Sequence, residues 1–144
     1  MTMDADFSWP VRVYWEDTDA GGVVFYANYL KFFERARTEW LRLWGPSQEA
    51  LRQAGTGMFV VTDTQVRYRQ PAVLDDALTI TVDLVEFGRA SLQFRQQAWR
   101  GEVLLCEGSI RIGWVQRTAD GSLRPGRMPP EVTARLPAAK TAAQ

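Results

Sequence analysis

One stretch limits the architecture more than any other. From Asn28 to Trp44, the residues Tyr29, Leu30, Phe33, Ala36, Trp40, Leu41 and Trp44 recur at three- and four-residue spacing. That is a wide apolar stripe on one amphipathic helix. Lys31, Glu34, Arg35, Glu39 and Arg42 fall mostly off it. Gly45-Pro46 ends the helix, because glycine suits the cap and proline cannot continue the turn. A short second helix is expected over 47–54, with Ser47 as N-cap and Ala50 and Leu51 facing inward. A stripe this wide must be covered, and the rest of the chain offers only strand patterns to cover it.

Those patterns alternate with period two. The first run is Trp9 to Trp15, with Val11, Val13 and Trp15 on one side and Arg12 and Tyr14 on the other. In Phe59 to Arg69, Val60, Thr62, Thr64, Val66 and Tyr68 alternate with Val61, Asp63, Gln65, Arg67 and Arg69. Three more runs follow, carried by Leu78 to Leu84, by Leu92 to Ala98 and by Leu104 to Trp114. One-faced alternation implies antiparallel pairing. The breaks at Gly88 and Gly101 are short enough for hairpins. The expectation is an α+β fold: a five-stranded antiparallel sheet, its last four strands in a meander, wrapped around one long central helix. Residues 1–135 form a single domain and 136–144 a loose tail. Pro125, Gly126, Pro129 and Pro130 forbid long regular structure before that tail.

Composition narrows the chemistry. The chain has 144 residues, enough for one sizeable core, and no apolar run of membrane-spanning length. Its 17 basic and 17 acidic residues balance, which gives no basic footprint for nucleic acid. Residues 1–7 lack the basic and apolar regions of a signal peptide, so a cytoplasmic location is expected. There is one cysteine, Cys106, and no histidine. Disulfides, cysteine-based zinc sites and every histidine-dependent triad or metalloprotease motif are thereby excluded within this chain. No metal or cofactor is expected.

What remains is carboxylate chemistry beside backbone donors. Glu16, Asp17 and Asp19 precede Gly21 and Gly22, and a helix begins near residues 26–28. A helix start presents unpaired N–H groups and partial positive charge. A carboxylate beside such donors suits attack on a carbonyl, the donors holding the oxyanion. The same loop fits calcium poorly, since Gly21 and Asn28 stand at the fifth and twelfth positions of an EF-hand pattern.

The segment Tyr14-Trp-Glu-Asp-Thr-Asp-Ala-Gly-Gly-Val-Val-Phe-Tyr-Ala-Asn-Tyr29, with Glu34-Arg-Ala-Arg-Thr-Glu-Trp-Leu41, resembles the hotdog-fold acyl-CoA thioesterases. The YbgC (Tol–Pal-associated) group is the nearest, related to 4-hydroxybenzoyl-CoA thioesterases. Val66-Arg-Tyr-Arg-Gln-Pro-Ala-Val-Leu-Asp-Asp76 resembles the second-strand segment of the same family. The resemblance spans residues 9–117. It implies metal-free hydrolysis of acyl-CoA, dimers with interfacial sites, and often tetramers. It maps the catalytic carboxylate to Asp19 and the oxyanion donor to the backbone N–H of Tyr26. The YbgC group usually carries histidine where this chain has Tyr26, whereas the 4-hydroxybenzoyl-CoA relatives carry tyrosine. A backbone donor survives that exchange.

Further substrate contacts are expected from Tyr14, Gly22, Ala27 and Asn28, and from Arg67 and Arg69 toward CoA phosphates. The carrier is left open between CoA and an acyl carrier protein. The open edges of a five-stranded sheet and the many aromatics imply a homodimer or homotetramer. A non-catalytic hotdog scaffold that binds acyl groups or partner proteins is the alternative reading.

Overall fold

The computed structural model describes residues 5–55 and 57–140. Strand β1 (Phe7–Arg12) leads through a 3₁₀ turn (Trp15–Asp17) into helix α1 (Asn28–Trp44) and the short α2 (Gln48–Ala54). Strands β2 (Met58–Tyr68), β3 (Ala77–Phe87), β4 (Ser91–Arg100) and β5 (Val103–Arg117) follow. A short β6 (Leu123–Pro125) and a one-turn α3 (Pro130–Thr133) complete the order. Helix α1 spans the expected residues. Ser47 caps α2 by accepting from the Ala50 N–H at 3.1 Å. Ala50 itself is exposed, and Leu51 alone turns α2 into the core.

The sheet is antiparallel with strand order β1-β3-β4-β5-β2, and β6 pairs with the end of β5. Only β3, β4 and β5 form the expected meander. Strand β2 pairs with β5, at the far edge from β1. The reason lies in residues 69–76, which are too long for a hairpin. They cross beneath the start of α1, where the Ala72 carbonyl accepts from Val24 N at 2.9 Å and the Asp76 carbonyl from Val13 N at 2.9 Å. The first strand also stops earlier than its alternation suggests. The Asp17 carboxylate accepts the Tyr14 N–H at 2.8 Å and turns the chain, leaving Trp15 81% exposed instead of in the core.

Leu78, Ile80, Val82 and Leu84 of β3, Leu92, Phe94 and Ala98 of β4, and Cys106, Ile110 and Trp114 of β5 make the covered face. Tyr29, Phe32, Phe33, Ala36, Trp40 and Leu41 of α1 are buried against it. Phe33 lies directly over Gly108, where a Cβ would come within 2.9 Å of its ring. Gln96 is a polar residue on this apolar face. It donates to the Phe33 carbonyl at 3.0 Å and accepts from Arg37 at 2.8 Å, so helix and sheet are joined by a satisfied buried amide.

Helix α1 packs mainly over β3, with contacts to β1 and β4. A register shift between Val61 and Asp63 reorders the faces of β2. Phe59 and Val61, then Thr64, Val66 and Tyr68, pair with the inward residues of β5, whereas Gln65 and Arg67 point outward with Ser109 and Glu107. Strand β2 therefore has an unpaired outer edge and a largely uncovered inner face. At the other end of the chain, Lys140 donates its N–H to the Leu84 carbonyl at 2.8 Å and its Nζ lies 2.8 Å from Asp83. Residues 141–144 of the expected tail lie outside the described residues.

Candidate active site

The loop between the 3₁₀ turn and α1 is closed by a short ladder. Asp19 N donates to Val23 O at 2.9 Å and Phe25 N to Asp17 O at 2.9 Å, which brackets the Thr18–Val24 bridge. The turn at its tip needs glycine at position 22 and leaves little room for a side chain at 21. Gly22 has φ +85°, which L side chains rarely adopt, and a Cβ on Gly21 would meet Asp19 Oδ1 at 3.2 Å. Asp19 Oδ1 accepts the Gly21 N–H at 2.8 Å, and Asp19 O accepts the Gly22 N–H at 3.0 Å. The side chain is thus held by its own turn, while Oδ2 has no partner among the described residues. Asp19 is exposed, so the free oxygen faces solvent.

Asp17 has the opposite environment. It is buried, and its carboxylate is used by the Tyr14 N–H. Its carbonyl accepts twice, from Phe25 N and from Asn28 Nδ2 at 2.8 Å. Asn28 therefore ties the helix start to the residue beside the loop and does not touch Asp19. Of the two aspartates, one builds the loop and the other presents a carboxylate from it.

At the head of α1 no side chain caps the helix. The N–H groups of Tyr26 and Ala27 have no hydrogen-bond partner among the described residues. Helix polarity adds partial positive charge to such groups. Their peptide carbonyls are occupied on the other side. Phe25 O accepts Asn28 N at 2.8 Å, and Tyr26 O accepts the Tyr68 hydroxyl at 2.9 Å. The Tyr68 ring meets the rings of Tyr26 and Tyr29 edge-on, with centroids 6.0 Å and 5.7 Å away. Partial burial raises the Tyr68 phenol above its ordinary range, with Cys106 and Tyr26 adding to the effect.

The remaining expected contacts divide. Asp19, Tyr26, Ala27 and Asn28 share one loop and helix start. Gly22 belongs to that loop, but its N–H is committed to the turn. Tyr14 lies exposed on the near side of the 3₁₀ turn, in a concavity with Trp15, Glu16, Leu74 and Asp75. Arg67 and Arg69 lie across the sheet, in a shallow concavity of about 540 Å³ shared with Arg95, Glu107 and Ser109. Arg69 is paired with Glu107, and Arg67 has no partner among the described residues. Sequence patterns missed Tyr68 as part of this locality. Its alternation signals only an inward strand residue, and its meeting with Tyr26 comes from the β2–β5 pairing.

A family model described as the thioesterase superfamily matches residues 21–107, more than half of the chain. The chain belongs to the thioesterase superfamily. A Haemophilus influenzae protein named acyl-CoA thioesterase YbgC is 41% identical over 132 residues, covering 92% of this chain and 95% of that one. An Escherichia coli protein named acyl-CoA thioester hydrolase YbgC is 43% identical over 129 residues, covering 89% and 93%. The crystal structure of a hypothetical protein from Aquifex aeolicus superposes with a TM-score of 0.83 at 26% identity, over 91% of this chain and 99% of that one. The superposition covers nine-tenths of this chain, and the superfamily's hotdog architecture is the one described above.

Proposed function

We propose that this protein hydrolyses acyl-CoA thioesters to the free acid and CoA. The observation that carries the reading is the proximity, on one loop, of an exposed carboxylate whose Oδ2 has no partner among the described residues and of the N–H groups that open α1, equally without one. The similarity to proteins named acyl-CoA thioesterase over nine-tenths of the chain supports the substrate class. Asp19 is the base that takes a proton from water as its oxygen attacks the carbonyl carbon, or is itself the nucleophile, forming an anhydride that water then opens. Either route places negative charge on the former carbonyl oxygen, where the N–H groups of Tyr26 and Ala27 stabilise it. Collapse breaks the C–S bond. A thiolate leaves readily, which suits a site without a histidine acid.

The acyl group lies against exposed aromatics at the helix start, where Tyr26 is 63% and Phe25 43% exposed. Of Arg67 and Arg69, Arg67 is the one available to a CoA phosphate, since Arg69 is held by Glu107. The working unit is a homodimer or a tetramer of dimers' making. The unpaired edge of β2, together with its exposed inner face and the aromatics beside it, is the surface a second copy would cover. No helix among the described residues is long and apolar enough to cross a membrane, and the cytoplasm is the compartment proposed.

A panel of acyl-CoA and acyl carrier protein thioesters, with release of free thiol as the readout, tests the reading. Turnover of at least one CoA thioester is expected. Binding without turnover across the panel would leave the scaffold reading in its place. Light scattering on the same sample should give a mass of at least twice 16.4 kDa.

A further inference from the structure

We infer that Tyr68 is a positioning residue for the oxyanion donors: its hydroxyl, bound to the Tyr26 carbonyl, orients and polarises the peptide group whose N–H belongs to Ala27. The hydroxyl donates to that carbonyl at 2.9 Å across 42 residues of sequence. A peptide's carbonyl and the following N–H belong to one planar conjugated unit. Donation to the oxygen draws electron density along it and makes the N–H a stronger donor, as chains of hydrogen bonds do. It also fixes the plane, and a helix without a side-chain cap has little else to fix its first free peptide. The neighbouring peptide has the same arrangement, with Phe25 O bound by Asn28 N and the Tyr26 N–H left open. Two adjacent donors are thus each backed by an occupied carbonyl.

The placement of Tyr68 is built on three sides. Its ring is held edge-on by Tyr26 and Tyr29. Its backbone is paired to Cys106 of β5. The Tyr29 hydroxyl accepts the Ala72 N–H at 3.2 Å, which fixes the ring against which Tyr68 rests. The last inward residue of the edge strand therefore links the sheet to the helix head.

This inference rests on the hydrolase reading, and the test separates the two. Tyr68→Phe keeps the ring contacts and removes the donor. Its kcat is expected to fall about 10-fold, a fraction of the loss seen when an oxyanion donor is removed outright, with KM within about 2-fold. Its melting temperature stays near that of the parent, since a partly exposed hydroxyl is lost. In ¹H–¹⁵N spectra the Ala27 amide resonance should move more than those elsewhere in the loop. Tyr29→Phe is the comparison. It removes a hydroxyl from the same cluster, should lower stability because Ala72 N–H loses its acceptor, and should leave the Ala27 resonance in place. A Tyr68→Phe variant with parental kcat, or with an unmoved Ala27 resonance, overturns the inference while hydrolysis by the parent stands. A parent that turns over no thioester overturns both.

Discussion

Gly108 tests the packing that sets the height of α1 above the sheet. Its missing Cβ is the space occupied by the Phe33 ring: an added carbon would lie 2.9 Å from Cε2 and 3.4 Å from Cδ2, and 3.1 Å from Ile110 Cδ1. Phe33 is fully buried and Ile110 nearly so, hence neither can swing into solvent. Overpacking of this kind costs about 1–3 kcal/mol. Replacing glycine by alanine also reduces the freedom of the unfolded chain, which returns about 0.4–1 kcal/mol. At the midpoints of these ranges Gly108→Ala should destabilise by about 1.3 kcal/mol, measured as a lower urea midpoint at constant m-value. Phe33→Leu in the same background removes the ring atoms nearest the new methyl. The double-mutant cycle should show a favourable coupling of about 1 kcal/mol. A Gly108→Ala protein as stable as its parent, or a cycle with no coupling, would mean that α1 does not rest on β5 at this point.

Cys106 is buried, and burial with the nearby Glu107 pushes its thiol up to about 12. One thiol per chain should react with Ellman's reagent in denaturant and none in the native state over minutes at neutral pH. Asp76 gives an acid-side dependence of stability. Burial alone would raise its carboxyl, but the Val73 N–H and the Arg100 guanidinium hold it below the usual range. A depressed folded value means that the contribution is present above the unfolded pKa and is lost as pH falls through the folded one. Unfolding free energies of Asp76→Asn and parent, taken from urea titrations, should differ by about 1 kcal/mol at neutral pH and converge in acid.

Much of this architecture was legible because α1 and the strands β3 to β5 carry strong periodicities over uninterrupted stretches. Gly45-Pro46, Gly88 and Gly101 mark their ends. The pairing of β2 was not legible, since an eight-residue connection bears no signal for which edge its strand will join. The shift after Val61 was hidden for a related reason. An irregularity in the β2–β5 pairing depends on the partner strand, and the one-residue displacement moves every later side chain to the opposite face. Trp15 shows local chemistry overriding periodicity, because the Asp17 carboxylate turns the backbone before the alternation is complete. In the proposed site, Asp19 and the helix head stand together in sequence and are readable there. Tyr68 joins them only through the sheet.

The turnover number of Asp19→Asn decides the central claim. Asparagine keeps the acceptor that the Gly21 N–H needs, so the loop should hold and the melting temperature should stay close to that of the parent. What is lost is the basic, nucleophilic oxygen. General-base catalysis contributes about 100- to 10,000-fold, so kcat on the best acyl-CoA of the panel should fall by at least about 100-fold with little change in KM. Asp17→Asn, measured beside it, should lose less turnover and more stability, because Asp17 is buried against the Tyr14 N–H. Near-parental kcat in Asp19→Asn would contradict the account, and an inactive Asp17→Asn at full stability would assign the chemistry to the other carboxylate.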